Sequence, residues 1–275
     1  MHRFEFGAES RYTSQDRTYF TDLFATFGTV PDENAFESGR TTFRDMAARL
    51  VLSAGELADG FDMAVLAHAT PDAEPGWPMS VLVEAVPGAG LVLGVSDQGV
   101  VAPFTAMRLV LDQVYDGPVI RAAVWIMDQS ATLHTEPVPD NRRATRNAAV
   151  ALVLTDTGTL GPFGFAQQHS CEDAVQVRAA LDAALTQLAD DGPPVTVVCG
   201  EALVPYVEHH PLAGAVRVAP AGQPCTGVWF VLADCLSAGD RVLIADYDEE
   251  FGYLGLCGME PTGRSAQPMS AGGVR

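Results

Sequence analysis

Residues 90–107, GLVLGVSDQGVVAPFTAM, decide how this chain is read, together with their echo at 221–233, AGQPCTGVWFVLA. Each ends in an apolar, helix-like run that leads through a turn into a β-rich segment, at 121–127 and 241–245. The first begins with a strand-like run, Leu91–Val95, which stops at the polar corner Ser96-Asp97-Gln98-Gly99. Such a corner between a strand and a helix start is where α/β proteins gather free backbone N–H groups, and chemistry with them.

Outward from that stretch, apolar spacing sets out the rest. A helix is expected over 41–57, capped by Thr41 or Thr42, with the stripe Phe43, Met46, Ala47, Leu50, Val51. Strands follow at 62–68, 91–95, 119–127 and 147–155, with helices at 78–86 and from Pro103 to about Tyr115. Leu91–Val95 is apolar throughout, as in a sheet covered on both faces. Asp156-Thr157-Gly158 closes this unit. The pattern then repeats: a strand at 160–166, a helix at 170–188 with a stripe through Val175, Val177, Leu181, Leu185 and Leu188, and a strand at 195–199. A helical piece at 202–207, a strand at 215–218, a helix at 226–237 and strands at 241–245 and 252–259 complete it. VLDQVYDGPVIRAAVWIMDQ (110–129) and VLADCLSAGDRVLIADYDE (231–249) share one ending, which reads as a duplication whose halves dock on each other. Residues 1–40, where Phe20, Leu23, Phe24 and Phe27 suit one short helix, form an N-terminal extension. The halves are 41–158 and 159–259, and 260–275 is a flexible tail.

Composition excludes several functions. The 275 residues carry a formal charge of −19, and all 16 basic residues are arginine. With no lysine, an internal Schiff base, a pyridoxal-phosphate anchor and a P-loop are excluded. Acidity argues against nucleic acid. It also disfavours an acidic carrier protein, except through Arg142-Arg143 with Arg146. No apolar run approaches the ~18 residues of a membrane span, and the N-terminus has no signal-type core, so a cytoplasmic protein is expected. Five cysteines (171, 199, 225, 235, 257) without metal-type spacing read as reduced, mostly buried thiols. No metal site is assigned: His209-His210 and His134-x-Glu136 lack helical ligand spacing, and the acidic run Asp246, Asp248, Glu249, Glu250 reads as a solvated loop.

The order of local motifs resembles the thiolase fold and, within it, β-ketoacyl-ACP synthase III. Ala67-His-Ala-Thr-Pro-Asp72 is similar to that branch's strand end A-T-T-T-P-D, and 94–107 to its nucleophile segment. Ala221-Gly-Gln-Pro-Cys225 falls where the family has G-N-T-S, and Gly239-Asp-Arg-Val-Leu243 resembles its entry to a late strand. The resemblance covers about 41–259. It implies a duplicated α-β-α-β-α layered fold with two halves related by a pseudo-twofold, no cofactor, and covalent catalysis by a Cys-His-Asn triad on acyl thioesters.

The chain departs from that triad at every member. No cysteine precedes residue 171. The nucleophile position falls within Ser96–Val101, with Gln98 the most suggestive substitute, as in the chain-length-factor subunits of aromatic polyketide synthases. The His position falls near Gly200 or Glu201, and the Asn position reads Gln223. The resemblance therefore implies a degenerate ketosynthase: a non-condensing partner or acyl-recognition subunit in polyketide or fatty-acid type assembly. It would be a homodimer, or a heterodimer with a catalytic ketosynthase, with acyl carrier protein or acyl-CoA as a further partner. The alternative is an acyltransferase, hydrolase or cyclase with altered chemistry. Gln98 is either an amide aimed at a vestigial pocket or a residue bonding its own backbone. Ser96 and Asp97 are a cap, or a nucleophile and its helper, with His68 at a neighbouring strand end. Glu201 and Asp97 could form an acid/base pair. Cys225, before a helix, is either an activated thiol or a buried small apolar residue.

Overall fold

The structure is a computed structural model that describes residues 1–260 except 87, 135, 156–160, 190, 191, 193 and 237–240. The Asp156-Thr157-Gly158 closure, the tail after Glu260 and the first two residues of the Gly239–Leu243 motif lie outside it.

In chain order the strands are β1 (His2–Phe6), β2 (Ser10–Arg11), β3 (Gly39–Arg40), β4 (Met63–His68), β5 (Leu91–Val95), β6 (Arg121–Asp128), β7 (Asn147–Thr155), β8 (Phe163–Ser170), β9 (Val195–Cys199), β10 (Ala213–Val218), β11 (Val242–Asp248) and β12 (Tyr253–Met259). The α-helices are α1 (Ser14–Thr26), α2 (Phe43–Ser53), α3 (Pro78–Ala85), α4 (Ala102–Asp116), α5 (Ala174–Ala189), α6 (Val204–Val207) and α7 (Gly227–Cys235).

Two five-stranded sheets carry the duplication. The first runs β1-β7-β6-β4-β5 and the second β8-β12-β11-β9-β10, with the same parallel and antiparallel senses at matching steps. Alternation along the strands divides the core into three apolar layers. Ala64, Leu66 and Trp125 face outward onto Phe43, Met46 and Leu50 of α2 and Val81 and Leu82 of α3. On the opposite face, Val65, Val124 and Ile126 meet α4 and α7 between the sheets, and Val198 and Ile244 close that layer from the second sheet. Here Phe104 and Trp229 pack with ring centroids 5.4 Å apart. Val197 and Leu243 then face outward onto Val177, Leu181 and Leu185 of α5. Helix, sheet, helix pair, sheet, helix is the layered α/β fold the sequence implies.

Local chemistry sets the helix limits. Thr42 and Asp45 form a reciprocal capping box (3.1 and 3.0 Å) at the start of α2, which therefore begins at Phe43. Pro103 occupies the first turn of α4. Three expectations are corrected. β1, within residues 1–40, is the edge strand of the first sheet. The strand expected at 160–166 runs to Ser170, so α5 starts only at Ala174 and leaves Val175 74% exposed. Asp246 and Asp248 belong to β11 and are buried, where a solvated loop is expected. β5 lies at the edge of its sheet, with Leu91 47% exposed, although Val92 and Leu93 pack on opposite layers.

Candidate functional site

Three carboxylates and a thiol meet between the sheets, where the strand ends of one half face the helix starts of the other. In β6, Val124 and Ile126 face the central layer, so the next residue in phase is Asp128. In β11, Val242 and Ile244 do the same, so Asp246 and Asp248 follow them inward. Asp128 is fully buried and reaches across to the start of α7. Its Oδ1 accepts from the Cys225 N–H (3.0 Å), and its Oδ2 from the Thr226 N–H and Oγ1 (2.7 Å each). It thus supplies the cap that the helix's own N-cap residue does not. Burial pushes its pKa up to about 6 against those donors, so it is ionised above neutrality.

Asp248, its counterpart in the repeat, is equally buried and crosses the other way. Arg142 holds it through Nε to Oδ2 (2.9 Å) and Nη2 to Oδ1 (3.0 Å), and the Phe251 N–H adds a bond to Oδ1 (3.1 Å). It lies so close to Gly99 that a Cβ there would come within 1.8 Å of Oδ2, and Gly99 also has φ +55°. Asp246 accepts from the Tyr247 N–H (2.9 Å). Burial, then Asp248 and Asp128, push it up to about 8, so at neutral pH it is a carboxylic acid.

Cys225 completes the group. Its thiol is fully buried and donates to the Gly99 carbonyl at 3.7 Å, so a cysteine of the second half does reach the 96–101 corner. Its helix-start position does not activate it. Burial first, then Asp128 and Asp246, push the thiol well above its ordinary pKa.

The corner itself is sharply bent. Asp97 is exposed and has φ +61°, the one non-glycine with positive φ among the described residues. Ser96 Oγ donates to Asp97 Oδ2 (2.7 Å), and no side chain caps the 3-10 turn Gly99–Val101 that follows. Gln98 bonds neither its own backbone nor Cys225. Thr105 Oγ1 lies 2.5 Å from its Oε1 and 2.6 Å from Oε1 of Gln168 in β8. One hydroxyl proton serves only one of them, so the other amide presents its NH2 group to the hydroxyl oxygen.

The other predicted residues are dispersed. Glu201 is exposed, and no hydrogen bond or ion pair joins it to Asp97 among the described residues. A Cβ on Gly200 would come within 2.0 Å of Asp246 Oδ1, so that carboxyl fills the space a side chain at 200 would need. Gln223 is buried. Its Nε2 donates to Glu5 (3.1 Å), and its Oε1 has no partner. His68 stands one step beyond the Ala67–Val95 pair, beside Ser96. Its Nδ1–H donates to the Thr70 carbonyl (2.7 Å), and burial lowers its pKa, so the ring is neutral with Nε2 as its basic nitrogen. Arg142 and Arg146 of the basic run are tied to Asp248 and Glu5. No group of three or more His, Cys, Asp or Glu among the described residues is placed to hold a metal, and no described helix is long and apolar enough to cross a membrane. Asp128 was missed in the sequence. Its signal was there, because AVWIMD and LIADYD end the two copies of the repeat with the same residue.

No protein-family model and no curated protein matches the sequence. Solved structures do. The acyltransferase ChlB3 superposes with a TM-score of 0.61 at 14% identity over 94% of this chain and 95% of its own. The β-ketoacyl-[acyl carrier protein] synthase III of Thermus thermophilus gives 0.61 at 12% over 95% and 98%. The tetronic acid condensing enzyme AbyA1 gives 0.59 at 14% over 81% and 87%. The chain has the thiolase fold. What it shares with these proteins is the frame. In that thiolase-fold frame the 96–101 corner and the start of α7 hold carboxylates and one protonated thiol.

Proposed function

We propose that the protein is a non-condensing, ketosynthase-III-like subunit that recognises acyl thioesters in natural-product or fatty-acid type assembly and pairs with a second thiolase-fold subunit. One observation carries this reading: Cys225, the thiol that touches the old nucleophile corner, is sealed from solvent and surrounded by Asp128, Asp246 and Asp248. A thiolate there would sit beside the Asp128 and Asp248 carboxylates in a buried interior, the reverse of what a thiol nucleophile needs. The pairing surface is the free edge of β5, where Leu91 is exposed, and Trp77 and Val83 of the neighbouring α3 region are exposed as well. An apolar edge strand with unpaired backbone groups favours another strand over water. The partner is a second copy or a catalytic ketosynthase.

The test has two parts. Iodoacetamide at neutral pH is expected to leave Cys225 unmodified in the native protein and to alkylate it after denaturation, read by peptide mass spectrometry. Sedimentation is expected to show a dimer, or a complex with an added catalytic ketosynthase, that Leu91→Lys weakens. Rapid native alkylation of Cys225, or acyl transfer to it from an acyl-CoA, would sink the proposal.

A second reading rests on Asp97. A residue held at positive φ between a strand and a helix is displayed as on a nucleophile elbow, and such strain is retained where it serves a site. With Ser96 bonded to it and neutral His68 on the next strand end, Asp97 would act as a base delivering water to a thioester carbonyl. Water's oxygen bonds to carbon, its proton passes to Asp97, and the departing thiolate takes that proton. Thiol release from acyl-CoA substrates should then fall about 100-fold or more in Asp97→Asn. Absence of release by wild type across a chain-length series removes this reading.

A further inference from the structure

Between Asp128 and Asn147 the chain leaves the central layer and folds into a loop that walls a cavity of about 460 Å³, lined by Ser130, Thr132, Glu136, Val138, Arg143 and Thr145 among others. That volume lies in the range of small-molecule sites. Its lining is polar, so it does not suit an acyl chain. Arg40, Arg44, Arg49, Arg142 and Arg146 lie between 2.7 and 3.1 Å from a carboxylate. Arg143, half exposed, donates through Nη2 to the Val138 carbonyl (3.1 Å) and meets Asp140 only at 3.7 Å, and no hydrogen bond or ion pair joins the Glu136 carboxylate to another described residue. One cavity therefore presents a guanidinium and a carboxylate that do not neutralise each other.

Two buried amides lie next to this lining, one in sequence and one across a backbone hydrogen bond. Gln129, immediately before Ser130, is fully buried, and neither its amide oxygen nor its nitrogen has a partner. On the other side Thr145 bonds back to Gly222 through its N–H (3.0 Å), and Gln223, next in the chain, buries an unpartnered Oε1. Buried polar atoms left open in this way are satisfied by water or by a ligand. Gly222 is required here: it has φ +80°, and a Cβ would come within 1.9 Å of Thr145 Oγ1.

We infer that this cavity is a binding site for an α-amino acid, whose carboxylate pairs with Arg143 and whose ammonium pairs with Glu136, the hydroxyls of Ser130, Thr132 and Thr145 bordering the remaining space. The inference does not depend on the acyl-thioester reading. It is tested by thermal shift and then calorimetry with the twenty proteinogenic L-amino acids, followed by the N-acetyl and methyl-ester derivatives of any that bind. At least one amino acid should bind, with each derivative about tenfold or more weaker. Arg143→Gln should weaken the amino acid by a similar factor and remove the preference for acid over ester. Glu136→Gln should do the same for the free amine over its acetyl form. Both are surface positions away from the central layer, so the fold is retained. No binding up to ~10 mM, or an affinity that neither substitution moves, overturns the assignment.

Discussion

Asp246→Asn is expected to make the protein more stable at pH 8, by a margin that shrinks steadily towards pH 4. Asp246 is nine-tenths buried, accepts from one backbone N–H, and shares its surroundings with Asp128 and Asp248. Its folded pKa, about 8, lies above the ordinary value of 3.8, so between about pH 4 and 8 the native state holds a proton that the unfolded chain has released. Stability then falls as pH rises through that window, by about 1.4 kcal/mol per pH unit for one such proton, and the contribution is gone above the folded pKa. Asparagine keeps an oxygen for the Tyr247 N–H and an N–H donor in place of the acid proton, without the charge. Over the roughly four pH units between the two values the gain at pH 8 should reach about 5 kcal/mol, or on the order of 10–15 °C in Tm. Asp72 and Asp128, raised by burial to about 7 and about 6, act with the same sign at lower pH. The wild type is therefore most stable on the acid side of neutrality. Denaturant titrations from pH 5 to 9 check this, and a slope unchanged in the variant would show that Asp246 is not the group that titrates.

How much of this was legible beforehand follows from where the signals lie. The continuous apolar runs of β4, β6, β7, β9, β11 and β12 show in the sequence because both faces of each sheet are covered. The duplication shows because the same endings recur. β8 was cut short because AQQHS alternates polar residues that half-bury against α4. β1 was missed because HRFEF is a short edge strand with charged residues. Register with a distant partner, β7, makes it a strand, and no local pattern records that.

The site was less legible, and for a physical reason. Asp246 and Asp248 look like loop residues because carboxylates rarely lie inside a sheet, and their burial appears only when two halves close on each other. Cys225 looks activated by its helix. Asp128, about a hundred residues earlier, takes up the very N–H groups that would have lowered its pKa. Gln98 looks like a stand-in for a nucleophile, yet its amide pairs with Thr105, which also meets Gln168 of the other half. For Asp248 and Cys225 the decisive neighbour, Arg142 or Asp128, belongs to the other copy of the repeat.

Asp128→Ala is expected to be among the most damaging single changes in the chain, and to unlock the corner as it does so. It would strip acceptors from the Cys225 N–H, the Thr226 N–H and the Thr226 hydroxyl, all in fully buried residues. Three buried donors left open, with a helix start uncapped, should cost about 3–5 kcal/mol. Asp128→Asn keeps one acceptor oxygen and places an NH2 group against the remaining donors. It should cost about half as much. The two variants separate charge from shape, since both lose the carboxylate but only alanine leaves the space empty. Freed from its tether, the Cys225–Thr226 turn opens more often, and local opening is what exposes a buried thiol. Cys225 in Asp128→Ala should therefore react with iodoacetamide under conditions where wild type does not. Equal protection of Cys225 in both proteins would mean that packing against Gly99 and Trp229, and not the carboxylate bridge between the halves, keeps this thiol silent.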